Sequence, residues 1–160
     1  MNKLFGTLLL CLSVHIASAA VPPEVMRDLA GPQVEKLITQ VQNLPLPVQS
    51  ALARIFHQSK LYLGNPNQPL GVELSLPGQA DFPARRLIFA FESLKYYVIY
   101  FEVGPPAIHA SVLVLNKRGR KSPRLVWGAA DLHRPFAEDR SGLVRRIASG
   151  KLFEHRTMIW

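Results

Sequence analysis

Thiols are almost missing from this sequence: Cys11 is the only cysteine in 160 residues, and it sits within an apolar N-terminal run. A chain that loses that run has no disulfide, no thiol nucleophile and no thiolate metal site. N-x-S/T sequons are also absent, which leans toward a bacterial periplasm rather than a eukaryotic exterior. No glycine-rich phosphate loop, H-e-x-x-H pair or G-x-S-x-G elbow occurs, and the ten glycines are scattered as single turn residues. Nucleotide cradling, zinc-protease chemistry and α/β-hydrolase chemistry thereby lose their usual sequence signals.

The N-terminus reads as an export leader. Met1 to Lys3 form a short basic segment, Leu4 to Ile16 an apolar one, and Ala17-Ser18-Ala19 an A-x-A exit. That run is short of the roughly 20 residues a bilayer span needs, so a signal peptide over 1–19, cleaved after Ala19, is preferred to a retained anchor. Lipidation at Cys11 is disfavoured because Leu10, not a small residue, precedes it within the apolar run. Residues 20–160 are then read as one exported domain, periplasmic or secreted, with about 140 residues to build its core.

Charge is unevenly spread. The net +8 of the whole chain reduces to neutrality from Ala20 to Val103, where seven Lys/Arg meet seven Asp/Glu. From Gly104 to Trp160 eleven Lys/Arg face four acids (Asp131, Glu138, Asp139 and Glu154), an excess of +7. Such one-sided charge points to an anionic partner, with solubility alone as the plain alternative.

Periodicity sets the expected elements. A short helix is expected over Glu24 to Leu29. A second is expected over Gln33 to Asn43, with Pro32 at its first position and Val34, Leu37, Ile38 and Val41 as its apolar stripe. A third starts near Pro47, its stripe being Val48, Leu52, Ile55 and Phe56. After the turn-forming Gly64 to Gly71, strands follow: Val72 to Leu76, Arg86 to Glu92, Lys95 to Val103, Ile108 to Asn116 and Arg124 to Ala129. Strict alternation places Leu87, Phe89 and Phe91 on one face, and Leu125 with Trp127 on one face. Tyr97, Ile99, Phe101 and Val103 oppose Tyr96, Val98, Tyr100 and Glu102. The aromatic and β-branched stretch from Lys95 to Lys121 is not a membrane span, because Glu102, Lys95 and His109 are costly in hydrocarbon and Gly104-Pro105-Pro106 breaks it. Ser141 is expected to cap a late helix that Gly150 ends, and the tail could add an edge strand. The fold class is therefore α+β: N-terminal helices packed on an antiparallel sheet of four to six strands, with a late C-terminal helix.

Candidate chemistry is sparse. Lys117, Arg118, Arg120 and Lys121, with Arg124 just beyond, form a hairpin tip with no acid among them. Their mutual repulsion would be relieved by phosphate, a carboxylate-rich glycan or an acidic protein face; nucleic acid is a poorer match for an exported chain. His109 and Ser111 share a strand face, a minimal nucleophile–base pair without an orienting acid. Asp131 and His133 supply two metal ligands, too few for a closed site. Glu73, Glu92, Glu102 and Asp131 are candidates for paired-carboxylate hydrolysis, although Glu102 is better explained by an arginine across the sheet. Trp127 is expected in the core, and Trp160 is open to either role.

The leading expectation is a non-catalytic exported binding protein, inhibitor- or immunity-like or envelope-binding. Its basic C-terminal third would meet an anionic protein or envelope component, without cofactor, metal or transmembrane segment. The alternative is a small secreted hydrolase of envelope material using Glu102, or His109 with Ser111.

Overall fold

The computed structural model describes residues 20–32, 36–71, 82–105, 108–117, 123–132 and 134–154. In chain order these form α1 (Pro23–Ala30), β1 (Lys36–Ile38), a 3-10 turn (Val41–Asn43), α2 (Leu46–Ile55), β2 (Arg85–Glu92), β3 (Tyr96–Val103), β4 (His109–Asn116), β5 (Arg124–Asp131), α3 (Arg140–Ala148) and β6 (Phe153–Glu154). The strands make one six-stranded antiparallel sheet in the order β1-β2-β3-β4-β5-β6. Connections between neighbouring long strands are too short for parallel crossovers, so a meander is the available topology. The α+β class expected from the sequence holds, with N-terminal helices and a late helix around the sheet.

Both sheet faces are covered, which is why β3 and β4 read as almost continuous apolar runs. On one face Val25 and Leu29 of α1 and Leu143 and Ile147 of α3 pack on Phe91, Tyr100, Val112 and Trp127. On the other, Val48 and Leu52 of α2 and Phe56 at its C-cap pack on Leu87, Ile99, Phe101 and Leu113. Phe56 and Phe101 meet edge to face at 5.3 Å. The β3 alternation follows the sequence pattern, and the stretch opening at Lys95 is two paired strands. Among the described residues no helix is long and apolar enough to cross a membrane.

Two bulges break the expected parity. In β2 the register passes from Leu87↔Phe101 to Phe89↔Tyr100, leaving Ile88 as the extra residue. Leu87 therefore joins the α2 face while Phe89 and Phe91 join the α1–α3 face. In β5 the register passes from Val114↔Trp127 to Leu115↔Leu125, so Leu125 and Trp127 also lie on opposite faces. Strict alternation failed at both points because one inserted residue exchanges the faces beyond it.

The helix expected over Gln33 to Asn43 is corrected. Lys36–Ile38 is β1, paired with Glu92 to Ala90, and Val41–Asn43 is a single 3-10 turn; residues 33–35, with Val34, lie outside the described residues. A short helix is marginal on propensity alone. Sheet pairing instead satisfies the backbone and buries Ile38 against α2. The strand expected over Val72 to Leu76 also lies outside the described residues.

Helix ends follow side-chain chemistry. Pro23 takes the first position of α1, where its missing N–H costs nothing. The cap of α3 is Asp139 rather than Ser141: its Oδ1 accepts from the Gly142 N–H at 2.6 Å. Gly150, at φ 64°, follows the C-cap as expected. The Ser93 hydroxyl donates to Asp28, while the Tyr96 N–H donates to Ser93 at 3.1 Å, tying α1 to the β2–β3 turn.

Candidate functional site

The basic turn between β4 and β5 is described only at its flanks. Arg118, Arg120 and Lys121 lie outside the described residues. Lys117 points back to the sheet: its ammonium lies 3.2 Å from Glu92, donates to the Ser93 carbonyl at 3.0 Å and faces the Tyr97 ring at 5.2 Å. Arg124, the first residue of β5, is exposed.

Asp131 closes a buried network. It is fully buried and accepts from the Tyr100 hydroxyl at 2.8 Å. One terminal nitrogen of Arg146 donates to both of its oxygens at 3.0 Å. The other donates to the Pro135 carbonyl, and the Ala137 N–H donates to the Tyr100 oxygen at 3.3 Å. Strand β5, helix α3 and the chain between them are fastened by one carboxylate. Burial first, then the hydrogen bond and charge of Asp131, push the Tyr100 phenol above its ordinary range. His133 lies outside the described residues, and no group of three metal-ligating side chains occurs among the described ones.

His109 and Ser111 share a face as expected, opposite Val103 and Phe101. Ser111 is 1% exposed. Asp131 pairs in register with Ala110, on the other face of the sheet, so it cannot orient the histidine. The Ser/His reading gains no third member there. Trp127 is in the core, while Trp160 and His155 lie outside the described residues.

Glu102 pairs with an arginine across the sheet, as the sequence suggested. Arg86, its direct register partner, donates from Nε at 2.9 Å and from a terminal nitrogen at 2.6 Å, both to Oε2. The remaining terminal nitrogen of Arg86 donates to the Gln68 carbonyl at 2.9 Å. Oε1 meets only the outlying Arg134, at 3.5 Å, among the described residues. Glu102 and Arg86 line a cleft of about 410 Å³ whose walls include Ile88, Pro135, Phe136 and Glu138. A second cleft of about 370 Å³ shares Ile88 and Glu138 and extends toward Leu37, Phe89 and Arg140. The β2 bulge supplies the shared wall.

A third concavity, about 350 Å³, lies on α3 and is lined by Ala137, Gly142, Arg145, Arg146, Ser149 and Lys151, with no acid among them. The helical spacing of Gly142, Arg145, Arg146 and Ser149 brings them to one face, a pattern visible in the sequence but overshadowed by the apolar stripe. Arg145 and Lys151 are exposed and unpartnered among the described residues. Arg146 is committed to Asp131. Comparison with protein-family models, curated proteins and solved structures finds no match to this chain.

Proposed function

We propose that the mature chain is an exported, non-catalytic binding protein, inhibitor- or immunity-like or envelope-binding, that engages an anionic partner through its basic C-terminal third. The carrying observation is the acid-free concavity on α3, where Arg145 and Lys151 flank Ser149. Arg124 adds an exposed cation, and the basic turn Lys117, Arg118, Arg120 and Lys121 belongs to the same third of the chain. Arg145 also suits the negative end of its helix, so its charge has a structural use besides binding. Ionic contacts with the partner weaken as salt screens them.

The test is affinity capture from envelope extract with the mature chain, at low and at high salt. Arg145→Gln with Lys151→Gln, and separately glutamine at Lys117, Arg118, Arg120 and Lys121, should reduce the captured material and its salt sensitivity. Capture unchanged in both variants would remove the basis of the reading. N-terminal sequencing of exported protein checks the leader: Ala20 is expected first.

A second reading, a small hydrolase of envelope material, draws on Glu102 at the 410 Å³ cleft. Against it, Oε2 of Glu102 already accepts two N–H groups from Arg86, and proton transfer needs a group within reach of substrate. Turnover of cell-wall glycan that vanishes in Glu102→Gln while anion binding persists would favour this second reading.

A further inference from the structure

We propose that the cleft beside the β2 bulge is a receptor for a guanidinium side chain, an arginine of a partner polypeptide, and that Arg134, outside its lining, competes for the Glu102 carboxylate in the free protein. The proposal does not rest on the anionic-partner reading, since it concerns a different surface and the opposite charge.

Three observations carry it. First, the cleft is net acidic in function. Arg86 is its one lining cation, and all three of its nitrogens are spent, two on Glu102 Oε2 and one on the Gln68 carbonyl. Glu102 Oε1 and the exposed Glu138 remain to receive a donor, and no partner of Glu138 occurs among the described residues.

Second, a guanidinium already reaches the carboxylate and the aromatic ring that a ligand would engage. Arg134 lies 3.5 Å from Oε1, and its Cζ is 5.2 Å from the centre of the Phe136 ring. A planar cation over an aromatic face with a carboxylate at its edge is the recognition geometry of arginine more than lysine. Third, this guanidinium is loosely held. The Arg134 side chain is 58% exposed against 10% for Glu102, and 3.5 Å is at the outer limit for such a bond. An exposed pair of this kind is worth about 1 kcal/mol at most, so an incoming guanidinium can displace it. Ile88, Pro66 and Pro135 give the apolar walls that an arginine stem would cover.

Arg134 then acts as an internal competitor: apparent affinity is the intrinsic affinity multiplied by the fraction of molecules in which Glu102 Oε1 is released. The experiment uses the mature chain and N-acetyl-argininamide, with neutral N-acetyl-citrullinamide as its shape-matched control, measured by calorimetry or by NMR shifts of cleft residues. Arg134→Ala, at an exposed position, should bind the arginine probe up to about fivefold tighter than the parent chain. The citrulline probe should bind neither. Because Glu102→Gln would weaken the pairing of Arg86 and endanger folding, the second variant is Glu138→Gln. Added to Arg134→Ala, it should weaken binding by about two- to fivefold. No gain on removing Arg134, equal binding of citrulline, or no loss on adding Glu138→Gln would each overturn the assignment.

Discussion

Asp131 and Arg146 are unequal partners, and the inequality predicts how each fails. The Asp131 side chain is 0% exposed, the Arg146 side chain 23%. Arg146→Met strands a fully buried carboxylate without the guanidinium that contacts both its oxygens, a loss of about 3–5 kcal/mol. Asp131→Asn keeps an oxygen to accept from Tyr100 and leaves a guanidinium that still reaches water and the Pro135 carbonyl; the expected loss is about 1–3 kcal/mol. The double variant removes both charges together, so its loss should fall short of the sum by at least about 1.5 kcal/mol. Urea unfolding followed by tryptophan fluorescence gives the four values, provided the m-values agree. Single losses that add within about 0.5 kcal/mol would refute the coupling. A greater loss from Asp131→Asn than from Arg146→Met would refute the burial argument behind it.

Other outcomes follow from neighbouring features. The Tyr100 phenol is raised above its usual value near 10, chiefly by burial. The folded chain therefore keeps a proton that the unfolded chain releases, and stability declines as pH rises past about 10; Tyr100→Phe should flatten that decline by up to about 1.4 kcal/mol per pH unit, read from denaturant midpoints across alkaline pH. At Gly104 a Cβ would stand 2.6 Å from the Gly71 carbonyl oxygen, a backbone atom that cannot swing aside. Gly104→Ala should thus cost about 1–3 kcal/mol in thermal or urea unfolding. Deleting Ile88 removes the bulge without changing which face any β2 residue occupies, so the chain should still fold by circular dichroism. Arginine-probe binding should be lost with the shared cleft wall.

What could be read from the sequence was whatever alternation or helical spacing governs without interruption. Tyr96 to Val103 and His109 to Asn116 have intact periods, and both appear as expected. The α2 stripe of Val48 and Leu52 holds for the same reason. At β2 and β5 the composition was right but the phase was not, because the extra residues, Ile88 and Val126, are ordinary strand formers that do not themselves mark a bulge. The helix expected through Leu37 and Ile38 failed for another cause: those residues also suit an edge strand, and pairing with β2 decided between the two. At the site, the Glu102–arginine pairing was legible because strand alternation predicts cross-strand neighbours. The meeting of Glu102 with Arg134, 32 residues apart, was not, since it depends on how the chain returns after β5.

The late excess of cations takes on a different meaning once its partners are named. Arg140 donates to the carbonyls of Leu29 and Gly31 at the end of α1, both at 2.6 Å. Arg134 reaches Glu102, Lys117 reaches Glu92 and Arg146 reaches Asp131. In three of these four pairings a late cation fastens an earlier segment of the chain. Charge that looks unbalanced along the chain is thus partly balanced in space, and a total of +7 overstates what a partner would meet. Among the described residues the outward remainder is Arg124, Arg145 and Lys151. An electrostatic partner of the kind proposed would consequently meet a few placed cations, and its binding should respond to Arg145→Gln with Lys151→Gln more than to Lys117→Gln alone. Equal loss from Lys117→Gln, whose cation is already held by Glu92 and Ser93, would mean that bulk charge governs the encounter and that these placed cations do not.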